Sequence, residues 1–369
     1  MSSPFKPVLT LFTILQVLMC SNKAEAEARS LSKKTRPFNN SIPAVFVFGD
    51  STVDSGNNNY WITPFKSNFP PYGMDFIDHI PTGRFSNGRL VTDFMVSYLG
   101  IKECVPPYLD PTLSLEELMT GVSFASANSG FDPLTPTLNS VISMQKQLEY
   151  FKEYKTRLEL AIGKERTNNL INKAVFVISC GTNDFVITYY GSPFRRQMYT
   201  VSGYQQFLLQ HVQQFLQDLL DQGARTIAFV GLPPMGCLPI LITLNSGNAL
   251  HNRGCIESLS VTAVDYNQKL QMKLKTMQSH VSGATIVYAD IYKVMDEMTQ
   301  NPSKFGFNIV HVGCCGSGYL EASILCNPAS PVCSDASKYM FFDSVHPTEA
   351  TYNYIFKSLR HAIDQIVKN

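Results

Sequence analysis

A hydroxyl nucleophile, a carboxylate–imidazole pair and an amide can be picked out of this chain by type and setting. Ser51 follows Ala44-Val45-Phe46-Val47-Phe48-Gly49-Asp50. Asn183 lies in Cys180-Gly181-Thr182-Asn183-Asp184, and Asp343 and His346 are three apart on a turn that ends at Pro347. Attack of a serine hydroxyl on an ester carbonyl needs a base for the hydroxyl proton, a partner that fixes the base's tautomer, and donors for the oxyanion. Here His346 would be the base and Asp343 its partner, while the Asn183 side chain and backbone N–H groups would be the donors. Plainer roles exist for each: Ser51 suits a helix cap, Asp343 and His346 could cap a helix starting near Pro347, and Asn183-Asp184 could be an ordinary turn. Their conjunction is what points to chemistry.

The elements that must hold these residues follow from hydrophobic pattern. Ala44 to Phe48, Gly121 to Ala125, Ala174 to Ile178, Ile227 to Val230 and Thr285 to Ala289 are short apolar runs of the kind a buried parallel sheet uses. Gly49 permits a sharp bend after the first, and Asp50 and Ser51 can cap a helix there. Helical spacing predicts helices through Val91, Phe94, Met95 and Leu99; from Leu138 through Val141 and Leu148 to Ile162; between Gly203 and Gly223; from Val261 to about Val281, with Met272 on its stripe; and through Ala350, Tyr354, Leu359 and Ile363. Strands alternating with helices imply a mainly parallel sheet covered on both faces. Ser51, the run Asn128 to Gly130, and Asn183 then follow strands at one end of that sheet, where open α/β sheets bind ligands. The aperiodic stretches Pro64 to Pro81 and Gly313 to Cys333 read as long loops and are expected to wall the substrate pocket.

Composition narrows the partners. A chain of 369 residues, 44% apolar and 16% charged, can bury a large core, and its net charge of +1 lacks the basic stripe of a nucleic-acid binder. Lys6, the apolar run Val8 to Cys20 and the small-residue sites around Ala24, Ala26 and Ala28 read as a secretory signal over residues 1–26. An exposed lead-in over 27–41 and one domain over 42–369 follow. The apolar run is too short for a permanent anchor, so a secreted, extracellular protein is expected. Asn39-Asn40-Ser41 is a glycosylation acceptor at Asn39 in the lead-in. In an oxidising setting some of Cys104, Cys180, Cys237, Cys255, Cys314, Cys315, Cys326 and Cys333 should pair, with Cys180 a candidate buried thiol and Cys104 its odd companion. There is no C-x-x-C pair, and His311 is the only histidine close in sequence to the cysteine cluster, so neither a metal nor a cofactor is expected.

Five stretches, FVFGDSTVDSGNNN, TGRFSNGR, GVSFASANSG, GTND and FFDSVHPTE, fall in order from residue 46 to 349. Together they resemble the plant-type GDSL esterase/lipase branch of the SGNH hydrolases. The resemblance implies a flavodoxin-like three-layer α/β/α fold, with Ser51 as nucleophile, His346 as base and Asp343 as its orienter. It also implies an oxyanion hole built from the Ser51 N–H, Asn183 and a glycine of the second block. This chain carries Asn128 where many relatives have that glycine, which leaves the backbone N–H of Asn128 or of Gly130 as the donor. Thr52-Val53 also matches the name-giving leucine only loosely. The glycines of a G-x-S-x-G elbow, which an α/β-hydrolase would need, are missing around Ser51, Ser123 and Ser317. The implied activity is hydrolysis of acyl-lipid or small acyl esters. Acyl transfer to an alcohol through the same intermediate, or a binding module that kept the fold, are the alternatives.

Overall fold

β1 (Val45–Gly49) carries only apolar side chains and is completely buried, as a strand with helices on both faces requires. It begins a parallel sheet with β2 (Val175–Ser179), β3 (Thr226–Val230) and β4 (Thr285–Ala289), in the order β1-β2-β3-β4. The register is in step across the sheet, with Gly49 opposite Ser179, Ser179 opposite Val230, and Val230 opposite Ala289. All four strands therefore end along one edge. This is the computed structural model of the chain, and it describes residues 42–248 and 253–368. The expected secretory leader over 1–26, the expected lead-in over 27–41 and the expected glycosylation acceptor Asn39 lie outside the described residues.

The segment expected as a strand over 121–125 lies parallel to β1 on its outer side. Val47 N–H donates to Val122 O at 3.1 Å, Phe124 N–H to Val47 O at 2.7 Å, and Ser126 N–H to Gly49 O at 3.0 Å. Only Val47 and Ser123 form a bridge there. A further parallel pair, β5 (Ile309–Gly313) with β6 (Tyr339–Phe341), has no expectation in the sequence reading. These runs are too short and too mixed in polarity to stand out by pattern.

The principal helices are α1 (Val91–Tyr98), α2 (Met144–Ile162), α3 (Val201–Asp221), α4 (Glu257–His280), α5 (Tyr292–Gln300) and α6 (Glu349–Lys368). Strand alternation sorts them into two layers. Phe46 meets Phe151 and Tyr154 of α2, and Phe48 meets Phe215 of α3, at ring separations of 5.1 to 5.7 Å. On the opposite face Val177, Ala228 and Val287 look toward Val91 and Met95 of α1 and Ile363 of α6. The fold is thus helix layer, sheet, helix layer, the three-layer α/β/α class that the motifs imply. Among the described residues no helix is long and apolar enough to cross a membrane.

Three expectations need correction. No helix starts at Asp50 or Ser51: residues 51–53 are a turn, and the first helical turn is a 3-10 segment at Asn57–Tyr60. The helix expected from Leu138 to Ile162 is two, because Ser140 sits at φ 51 and the Ser143 side chain accepts from Lys146 N–H at 3.1 Å to cap a new start. Leu138, on the short helix Leu134–Asn139, is 43% exposed. Met272 of α4 is 60% exposed and so is off the buried stripe, because the helix begins at Glu257 and its facing is set by Leu270, Leu274 and Met277. Cysteines pair as Cys237–Cys255, Cys314–Cys333 and Cys315–Cys326, leaving Cys104 and the buried Cys180 free.

Candidate active site

Gly49 ends β1 in a position that only glycine fits. Its φ is +143°, and a Cβ would lie 1.9 Å from Ser179 O on the neighbouring strand. Gln147 of α2 holds both its backbone groups, with Oε1 accepting from Gly49 N–H at 2.9 Å and Nε2 donating to Gly49 O at 2.8 Å. The chain turns after this clamp. Asp50 N–H donates to Ser179 O at 3.0 Å, and Asp50 Oδ1 accepts from the Thr52 N–H and hydroxyl. Ser51 is thereby presented at the carboxyl edge of the sheet. Burial pushes the Asp50 carboxyl up to about 6, against the pull of those Thr52 hydrogen bonds and of His346.

From the far end of the chain comes the imidazole. His346 Nε2 lies 2.8 Å from Ser51 Oγ, and its Nδ1 lies 2.7 Å from Asp343 Oδ2. With Nδ1–H donating to Asp343 Oδ2, Nε2 accepts a hydrogen bond from the Ser51 hydroxyl. All three side chains are buried, Asp343 completely. The carboxylate is held by four donors: Val345 N–H at 2.8 Å and His346 N–H at 2.7 Å on Oδ1, and the imidazole and the Tyr72 hydroxyl, both at 2.7 Å, on Oδ2. Tyr72 OH in turn accepts from Ser323 N–H at 2.8 Å. The Phe85 ring packs on the imidazole at 4.9 Å between centroids.

The motif stretches are tied to one another by side chains. In DSGNNN, Asp54 accepts from Gly56, Asn57 and Ala127 N–H groups, and Asn57 Nδ2 donates to Ser123 O and Ala125 O, binding the turn after β1 to the 121–130 segment. In TGRFSNGR, Arg84 and Asp93 form a buried ion pair at 2.8 Å, and Asn87 Oδ1 accepts from Glu349 N–H at 2.8 Å, capping α6. These stretches carry their side chains for scaffolding as much as for chemistry.

The amide of Asn183, at the end of the turn after β2, donates to Ser129 O at 3.0 Å and leaves one N–H of Nδ2 for another acceptor. It lines the same hollow as Ser51. Asn128 sits at φ 64 in the left-handed region that Asn tolerates. Gly130 is placed differently: a Cβ there would meet Asp184 Oδ1 at 2.2 Å, and it lines a separate groove with Trp61, Met144 and His211. Steric room for Asp184, whose carboxylate accepts from Phe131 and Asp132 N–H and from Thr135 Oγ1, accounts for that glycine.

The groove beside Trp61 is the roomier of the two hollows, about 990 Å³, but does not reach Ser51. The hollow at Ser51, about 60 Å³, is where the reactive groups meet. Its walls are Val91, Val230 to Pro233, Ile291, Met295, Tyr352 and Leu359. Neither Pro64 to Pro81 nor Gly313 to Cys333 contributes a wall, contrary to expectation. Those loops pack instead into a second apolar cluster behind Asp343, with Tyr72, Phe85, Cys314, Cys315, Cys326 and Phe342. Tyr72 and Gln147 were beyond sequence reasoning, since neither stands in a motif and each acts on a residue about 100 or more positions away.

A buried serine–imidazole–carboxylate chain at the carboxyl edge of a three-layer α/β/α sheet defines a class of serine hydrolases. The profile of the GDSL-like lipase/acylhydrolase family matches residues 45–359, and the chain belongs to that family, whose members act on carboxylic ester bonds. It is similar to a GDSL esterase/lipase of Arabidopsis thaliana, 57% identical over 329 residues that cover 89% of this chain and 88% of the relative. It is also similar to two further Arabidopsis thaliana GDSL esterase/lipases. Each is 46% identical, over 357 residues covering 96% of both chains and over 348 residues covering 94% of both.

Proposed function

We propose that this protein is a secreted serine esterase/lipase that works through an acyl-enzyme on Ser51. The observation that carries the reading is the unbroken hydrogen-bonded path Ser51 Oγ, His346 Nε2, His346 Nδ1, Asp343 Oδ2, with links of 2.8 and 2.7 Å. In the first half-reaction the Ser51 oxygen attacks the ester carbonyl while Nε2 takes its proton. Asp343 holds the tautomer and stabilises the imidazolium that forms. The Ser51 N–H, the remaining Asn183 N–H and the Asn128 backbone N–H are the donors proposed for the oxyanion. Nε2 then returns the proton to the leaving alcohol. Water repeats the sequence to release the acid and restore Ser51. Lys6, the Val8 to Cys20 run and the alanine sites after it support secretion.

Turnover of p-nitrophenyl acyl esters by the purified protein beside Ser51→Ala tests the mechanism. Ser51→Ala should lose at least about 1000-fold in kcat, and a fluorophosphonate probe should label Ser51 and no other serine. Equal rates in the two proteins would remove Ser51 from its role. Amino-terminal sequencing of protein recovered from the culture medium should begin near residue 27, and retention of the intact leader in the cell would overturn secretion.

A further inference from the structure

The hollow at Ser51 abuts a second one farther from the carboxyl edge of the sheet. Val91, Val230 and Leu359 line it, and the same three residues line a second cavity of about 50 Å³. That second cavity lies between the sheet and α6, over Val177, Ala228 and Val287 at mid-strand, and reaches Ala362 and Ile366. Apart from Thr92 its lining side chains are all apolar. Each cavity is large enough for several water-sized groups. The seven helical steps from Leu359 to Ile366 advance about 10 Å, and an extended chain advances about 1.2 Å per bond. The lining of the far cavity along α6 thus spans about eight carbons of an extended chain.

Resting on the serine-esterase reading, we infer that the two cavities form one channel for the acyl chain of the substrate, running from Ser51 past Val91 and Leu359 and under α6. The fit is to a linear chain of about twelve carbons, the near cavity taking the first few and the far one the remainder. An alcohol portion with several hydroxyls finds no partners along this path and belongs on the open side of Ser51. Val91, Leu359, Ala228 and Ala362 are then specificity residues, none of which touches the reacting atoms.

Hydrolysis of p-nitrophenyl butyrate and p-nitrophenyl laurate by the full mature chain tests the channel. Each methylene brought into contact is worth about fourfold in kcat/KM, so the wild-type enzyme should favour laurate. Ala362→Phe and Ala228→Leu fill the far cavity from its two walls. Each should lower the laurate-to-butyrate ratio at least tenfold and leave butyrate within about twofold of wild type. A wild-type preference for butyrate, or a folded variant of either kind with an unchanged ratio, would overturn the channel. Should neither variant fold, the wild-type profile alone decides. Butyrate turnover with a flat chain-length profile strikes at the channel only, whereas failure to hydrolyse either ester defeats the esterase reading as well.

Discussion

Tyr72 is 271 positions from Asp343, yet its hydroxyl fills one of the four acceptor sites of the carboxylate and is itself fixed by Ser323 N–H. In Tyr72→Phe the carboxylate loses a donor and a buried N–H loses its acceptor, at about 1.5–3 kcal/mol for a bond to a charged group. The expected outcome is a fall in kcat of about tenfold or more with KM little changed, because Tyr72 does not line the Ser51 hollow. A proportionate rise in KM would argue against a positioning role. Gly49→Ala is a harsher change: its Cβ would overlap Ser179 O, and the φ of +143° is closed to alanine. A loss of more than about 2 kcal/mol in unfolding free energy is expected from overpacking and strain together, measurable by urea titration. At this scale the sequence yields the candidate side chains, because a serine after a buried strand, an amide in a turn and an Asp-x-x-His before a helix point to chemistry when taken together, though none does so alone. Tyr72, Gln147 and Phe85 are silent, since their partners are set by tertiary structure alone.

Among the elements, α6 matters most to the proposed mechanism, because the turn that enters it carries Asp343 and His346. Asn87 caps it from a distant loop, and Arg89 grips the Glu349 carboxylate through Nε and Nη2 at 3.2 and 3.1 Å. Asn87→Ala should cost about 1 kcal/mol, seen as a lower thermal midpoint with the fold retained. The loop from Gly313 to Cys333 is the other support. Cys315 and Cys326 enclose Ser323, which positions Tyr72, so Cys315→Ser with Cys326→Ser should lower stability by about 2–3 kcal/mol and lower kcat in the manner of Tyr72→Phe. Unaltered kcat in that double variant would separate the loop from the site. Element existence was readable wherever a long stripe faces the sheet, as in α2, α3 and α6. The break at Ser140 was not, because Leu138 keeps the helical spacing of α2 while its backbone has already turned away. The role of the two long loops was misjudged because an aperiodic stretch shows only that a loop is present, and the aromatic rings and cysteines of these two pack behind Asp343 rather than around Ser51.

Across the whole molecule, buried carboxyl groups set the response to pH. Burial pushes Asp50 and Asp54 up to about 6 and Asp184 up to about 7, each against the pull of hydrogen bonds. Their folded values lie above the ordinary 3.8 of an exposed aspartate, so between those limits the native state holds protons that the unfolded chain has released. Stability from these groups is therefore complete below about pH 4 and is lost as pH rises through 6 to 7. Glu321 is partly buried but hydrogen-bonded to backbone N–H groups that lower it to about 2, so its contribution is complete above about 4.5, constant across this window, and lost only as pH falls toward 2. The thermal midpoint should fall by several degrees between pH 5 and pH 8, and Asp50→Asn should flatten that slope. A midpoint that climbs over this range would contradict the assignment. The parallel, doubly covered sheet was legible from alternating runs, because topology follows from element order when the strands are short and fully apolar.

The Ser51 hydroxyl and the imidazole that accepts its hydrogen bond are 295 residues apart in the chain. On the proposed mechanism, a chain that stops after three hundred residues carries every strand of the four-stranded sheet, the clamp on Gly49 and the serine, and still lacks its base. Premature stop products are then inert, and turnover measured on a preparation counts only molecules whose two ends have met.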